Sequence, residues 1–292
     1  MQVLKADGRG VRTVWKSNQL AGIPEEVIVA DLSGDGLDDA LLCRTSAARI
    51  YAWALDEFSP LWESLSGEYA IVQCFTAANV DEDPAAEIVM IADQRIVYVD
   101  GGSFTKQFTS INEYTATQIR CGDVDGDGSA ELVGRDNAQL QFWKLTPSGW
   151  VGLPFGPPMS DADGWNQVPY YSTIQFADLD GDGADELLAR NNTQVLVWKL
   201  SAAGWGSLPG GPLMPDADAW NLPQYYSTIQ CADIDGDGAD ELLARNNAQV
   251  AAWKLVGSAW QQLAGGPLWS DADGWNLPQY YSTIRTASVL AG

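Results

Sequence analysis

Residues 178–186 read Asp178-Leu179-Asp180-Gly181-Asp182-Gly183-Ala184-Asp185-Glu186. Oxygen side chains stand at the first, third and fifth places and a carboxylate at the ninth, the donor pattern of a loop that closes around calcium. Carboxylates on alternate residues converge on one hard cation only where the backbone curls, and Gly183 permits that bend. Asp178, Asp180, Asp182 and Glu186 are the expected side-chain ligands, and Ala184 can offer its carbonyl. An EF-hand would place its closing glutamate at the twelfth position and continue into a helix. Here it comes at the ninth and Leu187-Leu188-Ala189 follows, so the loop is expected to join two strands.

The stretch recurs. Asp233, Asp235, Asp237, Ala239 and Glu241 repeat the ligand places, as do Asp123, Asp125, Asp127, Ser129 and Glu131. Asp31, Ser33, Asp35, Leu37 and Asp39 keep the pattern with a serine at the third place. Asn79, Asp81, Asp83, Ala85 and Glu87 keep it too, but Pro84 replaces the glycine and leaves metal binding there an open question. Loop starts are 48, 44, 55 and 55 residues apart, and a further 55 lands on Ser288, in a copy whose acidic residues are gone. A period of this size means a solenoid, a propeller or an array.

Each repeat reads as short strands separated by turn signals. In the fourth, residues 172–177 enter the loop, 185–190 leave it, 194–200 carry the Val-Trp-Lys pattern and 204–208 make a shorter fourth strand. Four antiparallel strands per repeat predict an all-β fold, a β-propeller built from four-stranded blades. The repeat covers nearly the whole chain, so residues 1–292 are expected to form one repeat domain, with repeats at 25–70, 71–114, 115–169, 170–224 and 225–279. Residues 1–24 read as a hairpin without an inner strand, and 280–292 as an inner strand without a blade. Pairing the two would close the ring at six blades and remove two exposed edges.

The formal charge is −23, and eighteen of the 39 acidic side chains lie at ligand places of the five loops. That balance argues against nucleic acid and anionic membrane, both of which need a basic footprint. The chain has no histidine, which removes Ser–His and Cys–His nucleophiles and every histidine metal site. Four cysteines make no disulfide framework, and Cys121 and Cys231 stand where Phe176 stands in the repeat between them, an apolar core place. No signal peptide or membrane span is legible, so export by that route requires a leader outside this sequence.

The Asp-x-Asp-Gly-Asp-Gly-x-x-Glu loops at Asp123, Asp178 and Asp233 resemble the FG-GAP or VCBS repeats of integrin alpha-chain propellers and of many secreted microbial proteins. The resemblance covers residues 25–290 and is weaker at the first two loops. It implies a calcium-stabilised propeller, secreted or at the cell surface, used for adhesion, for ligand binding or as an accessory module. The chain is also similar in architecture to propeller lectins.

A second element repeats. Three connections between repeats carry insertions with Asp161, Asp163, Trp165 and Asn166, with Asp216, Asp218, Trp220 and Asn221, and with Asp271, Asp273, Trp275 and Asn276. Each runs into a Tyr-Tyr-Ser-Thr-Ile segment expected to open the next inner strand. Strand alternation places these connections on the face opposite the calcium loops, with the turns that follow Arg135, Arg190 and Arg245. Aromatic faces, carboxylates and amides together suit a sugar, whose ring stacks while its hydroxyls hydrogen-bond. Two readings stay open: ligand contact, or indoles that pack one repeat on the next while the Asp-Ala-Asp pairs cap their own turns. Trp143, Trp198 and Trp253, in the middle of a strand, read as core. The functional expectation is a non-enzymatic binding propeller for carbohydrate or glycoprotein, with a protein surface or an accessory role next. A polysaccharide lyase or hydrolase ranks last, since it needs one unique acid/base pair rather than repeated carboxylates.

Overall fold

The computed structural model describes residues 2–6, 11–16, 20, 24–35, 40–54, 59–81, 83–109, 119–135, 138–282 and 284. Gln2–Ala6 (β1) and Val11–Lys16 (β2) form an antiparallel hairpin. Pro24–Ala30 (β3), Ala40–Thr45 (β4), Arg49–Ala54 (β5) and Pro60–Glu63 (β6) follow as one sheet. Val72–Ala78 (β7), Glu87–Ala92 (β8), Arg95–Val99 (β9) and Lys106–Thr109 (β10) make the next. The third comprises Ile119–Gly122 (β11), Glu131–Arg135 (β12), Leu140–Thr146 (β13) and Gly149–Gly152 (β14). Gln175–Ala177 (β15), Glu186–Arg190 (β16), Val195–Ser201 (β17) and Gly204–Ser207 (β18) form the fourth. Gln230–Ala232 (β19), Glu241–Arg245 (β20), Val250–Val256 (β21) and Ala259–Gln262 (β22) form the fifth. In every sheet the strand order is the sequence order, the meander expected of a blade. The strand expected across 282–292 falls on residues outside the described ones, apart from Ser282 and Ile284.

The chain divides into two compact units, Met1–Cys121 with Lys144–Val151, and Gly122–Trp143 with Gly152–Gly292. In the first, Leu42, Ile50, Ile88, Met90, Val97 and Val99 form a fully buried cluster. β8 is buried along its entire length because Ile-Val-Met-Ile is a continuous apolar run between turns. In the second, Leu188, Val195, Val197, Met214 and Leu242 form one cluster, and Val133, Leu140, Phe142 and Leu187 belong to another. Burying each such side chain is worth about 1.5–3 kcal/mol, so these residues carry the fold.

Two expectations are corrected. The Tyr-Tyr-Ser-Thr-Ile segments do not open strands: Val168–Tyr171 (α1), Pro223–Tyr226 (α2) and Pro278–Tyr281 (α3) are single helical turns. Each has a proline in its first turn, where a missing N–H costs nothing. The hydroxyl of Ser172 donates back to the Val168 carbonyl at 2.5 Å and closes the turn, so the inner strand begins only at Gln175. Trp143, Trp198 and Trp253 are half-buried rather than core, with Trp198 and Trp253 at the margin of their clusters. The described cysteines are free thiols.

Candidate functional sites

The acidic loops curl through their own side chains. Asp178 accepts hydrogen bonds at Oδ1 from the amide of Gly181 at 2.7 Å and at Oδ2 from that of Gly183 at 2.9 Å. Gly181 and Gly183 adopt φ of 74° and 91°, which a side chain would oppose. Glu186 is fully buried, and its Oε2 accepts from the Leu179 amide at 2.8 Å. The loops at Asp123 and Asp233 repeat these contacts, with Glu131 holding the Val124 amide and Glu241 the Ile234 amide, each at 2.9 Å. Asp31 turns its loop in the same way, taking the Gly34 amide at 2.7 Å; Leu37 and Asp39 lie outside the described residues.

Four sets of carboxylates approach within 4.8 Å of one another among the described residues: Asp81, Asp83 and Glu87; Asp123, Asp125 and Asp127; Asp178, Asp180 and Glu186; Asp233, Asp235 and Glu241. In each of these four loops three of the carboxylates named from the spacing thus lie near one another. Pro84 does not prevent this in the second loop, where Asp81 and Asp83 take the amides of Asp83 and Ala85 at 2.9 and 2.8 Å. Glu87 is wholly buried, and its Oε1 has no hydrogen-bond partner among the described residues. Burial pushes the Glu87 carboxyl up to about 8, reinforced by Asp81, Asp83 and Asp100. All-oxygen donors around a buried, unpartnered carboxylate oxygen fit a hard divalent cation. Asp81, Asp83 and Glu87 would hold it, and its charge would offset theirs.

The loops at Asp178 and Asp233 already contain a cation. Lys199 places its Nζ 2.7 Å from Asp180, 2.9 Å from Asp182 and 2.7 Å from Glu186. Lys254 does the same at Asp235, Asp237 and Glu241, at 2.8, 2.7 and 2.8 Å. Burial opposes the charge on Lys199, yet the three carboxylates hold its pKa above the ordinary lysine value. Neither lysine was singled out from the sequence, although the Val-Trp-Lys pattern marks Lys199.

The second repeated element is a clasp. Arg190 has a fully buried side chain and donates to Asp216 Oδ1 at 2.9 Å and to the Met214 carbonyl at 2.8 Å. Tyr170, from the preceding insertion, donates its hydroxyl to Asp216 Oδ2 at 2.6 Å and lies under the guanidinium, 5.2 Å from its ring centroid. Arg245, Asp271 and Tyr225 repeat the arrangement, with the Arg245–Asp271 contact at 2.8 Å. Burial and the Asp271 carboxylate push the Tyr225 phenol up to about 12. Arg135 and Asp161 form the same ion pair at 2.8 Å.

The arginines and the first aspartate of each insertion are therefore occupied with one another. Trp165 and Trp220 are 7% and 8% exposed, each against a tyrosine of its own insertion, so the packing reading of these two indoles is the one their burial favours. Trp275 is half-buried and stacks on Trp269 at 4.4 Å. Asp163, Asp218 and Asp273 are exposed, as are Asn166, Asn221 and Asn276. Ser160 and Ser270 cap the turns that carry Asp163 and Asp273, while Pro215 stands at that place before Asp218. Tyr170 and Tyr225 escaped the sequence reading; their recurrence at the same period was the available signal.

No protein-family model matches the chain, and no curated protein matches it. Solved structures do. An Agrocybe aegerita lectin, described as recognising non-reducing terminal N-acetylglucosamine, is similar at a TM-score of 0.60 and 15% identity over 86% of this chain and 68% of the lectin. The WD40 domain of SCAP from fission yeast is similar at 0.51 and 11% identity, over 84% of this chain and 56% of that one. BBS1N, from its complex with ARL6DN, is similar at 0.50 and 13% identity, over 87% and 74% of the two chains. At such identities the likeness shows the fold alone: the chain is a β-propeller. Among the described residues no helix is long and apolar enough to cross a membrane.

Proposed function

We propose that the chain is a non-enzymatic binding propeller, secreted or at the cell surface, with calcium in its acidic loops and carbohydrate as its ligand. One observation carries the ligand reading. The insertions offer exposed Asp163 and Asn166, Asp218 and Asn221, and Asp273 and Asn276, on turns held by arginine–aspartate ion pairs and packed indoles. Carboxylates accept and amides both donate and accept, which suits a ligand rich in hydroxyls. Three equal tips would multiply a weak single contact. The indoles of Trp165 and Trp220 then support the tips from beneath. The lectin among the similar structures favours the same class. The absence of histidine and the repetition of the carboxylates favour binding over catalysis.

A protein surface is the second reading, favoured by Leu213 and Leu268, which are 71% and 76% exposed at equivalent places beside the insertions. A glycan array probed with and without calcium separates the two. Carbohydrate binding is expected to appear on the array and to weaken in Asp218→Ala and Asn221→Ala, with unfolding unchanged. An array blank in both conditions overturns the carbohydrate reading.

A further inference from the structure

Pairing register decides which residue overhangs each acidic loop. Trp198 pairs with Leu187 and Trp253 with Leu242, each directly after the closing glutamate, so the next residues, Lys199 and Lys254, reach into the loop. In the second repeat Val99 pairs with Ile88, directly after Glu87, and the next residue is Asp100. An ammonium in two loops is thus replaced by a carboxylate in another. In that loop a fully buried glutamate oxygen, Glu87 Oε1, lacks a partner among the described residues, whereas Glu186 Oε1 and Glu241 Oε1 each face a lysine Nζ, at 2.7 and 2.8 Å. The loop at Asp81 gains a negative charge where the other two gain their own cation.

We infer that Lys199 and Lys254 are internal competitors for the cation of their loops, so that the Asp81–Asp83–Glu87 loop takes a divalent ion at lower concentration than the loops at Asp178 and Asp233. This rests on the reading of the acidic loops as calcium sites. A metal bound by Asp180, Asp182 and Glu186 must use oxygens that the Lys199 ammonium contacts at 2.7–2.9 Å, so the lysine must first withdraw. Register delivers no lysine to the Asp81 loop, and Asp100 adds attraction there.

Calorimetric titration with calcium tests this on the full chain and on Lys199→Met, Lys254→Met and Glu87→Gln. Each lysine variant is expected to gain a site about tenfold tighter than the same loop shows in the wild type, a change of roughly 1.4 kcal/mol. Glu87→Gln is expected to lose a wild-type site that fills before those at Asp178 and Asp233. Acylation of lysine amines, mapped by mass spectrometry on the wild type, gives a measure that needs no variant to fold. Labelling of Lys199 and Lys254 is expected to stay constant while the first ion binds and to rise only at higher calcium. Lysine variants that bind calcium no more tightly, or labelling that rises with the first ion, overturn the inference and leave the calcium reading intact. Absence of calcium binding in the wild type and every variant overturns both.

Discussion

Asp185 and Asp123, 62 residues apart, exchange two hydrogen bonds: the Asp185 amide donates to the Asp123 carbonyl at 2.7 Å, and the Asp123 amide donates to Asp185 Oδ2 at 2.9 Å. The eighth place of one acidic loop is thereby tied to the first place of the loop before it. Asp240 and Asp178 repeat the backbone half of this link at 2.6 Å, and Ala86 and Asp31 do so at 2.8 Å. Burial pushes the Asp185 carboxyl up to about 7, so holding it charged opposes folding while its acceptor oxygen favours it.

Those opposed effects separate by substitution. Asp185→Ala leaves the Asp123 amide without its side-chain acceptor and is expected to cost about 1–3 kcal/mol. Asp185→Asn keeps an acceptor and removes the buried charge, so it is expected to lie closer to the wild type. Urea unfolding of the two variants checks the order; equal losses would show that the side-chain bond contributes nothing.

The clasp gives larger effects. Asp216→Ala strands the fully buried guanidinium of Arg190 and is expected to cost about 3–5 kcal/mol. Tyr170→Phe removes only the hydroxyl bond to the Asp216 carboxylate and is expected to cost about 1.5–3 kcal/mol. Denaturant midpoints at constant slope measure both.

The indoles and the exposed tips are expected to behave differently. Trp220→Ala empties a buried site and is expected to lose about 3–5 kcal/mol of stability. Asn221→Ala is exposed and is expected to change stability by less than about 0.5 kcal/mol. Thermal melting of the pair, read beside binding to a multivalent glycan surface, identifies which residue serves the ligand. A Trp220→Ala protein with unchanged melting would return that ring to the ligand.

Calcium that binds the folded loops alone stabilises by mass action, about 2.7 kcal/mol per site at a hundredfold excess over its dissociation constant. Chelation is therefore expected to lower the melting temperature, and readdition of calcium to restore it. Melting indifferent to chelator would remove the metal from the account of stability.

The loops and the meander were legible because three full copies and two partial ones, in register, repeat the spacing of the acidic residues, and local spacing alone curls such a loop. The clasp was only half legible. Repetition picked out Arg190 and Asp216, but it shows which residues recur and not which of them meet, so their pairing with Tyr170 emerged only from the fold. Lys199 was hidden for a related reason, since its reach into the loop depends on the pairing of Trp198 with Leu187. The turns at Tyr170 and Tyr225 were misread because Tyr-Tyr-Ser-Thr-Ile has strong strand propensity, while the proline at the start of the turn outweighs it.

Tyr170 reaches Asp216 across 46 positions, Tyr225 reaches Asp271 across the same 46, and each arginine reaches its aspartate across 26. Residues 170–224 and 225–279 therefore each contain a whole clasp, with tyrosine, arginine and aspartate inside one 55-residue length. Such a length can be copied or deleted in frame without orphaning a member of its clasp, because all three partners travel together. The bonding pattern thus suits growth by duplication, and the close similarity of residues 170–224 and 225–279, which nonetheless keep every member of the clasp, accords with it.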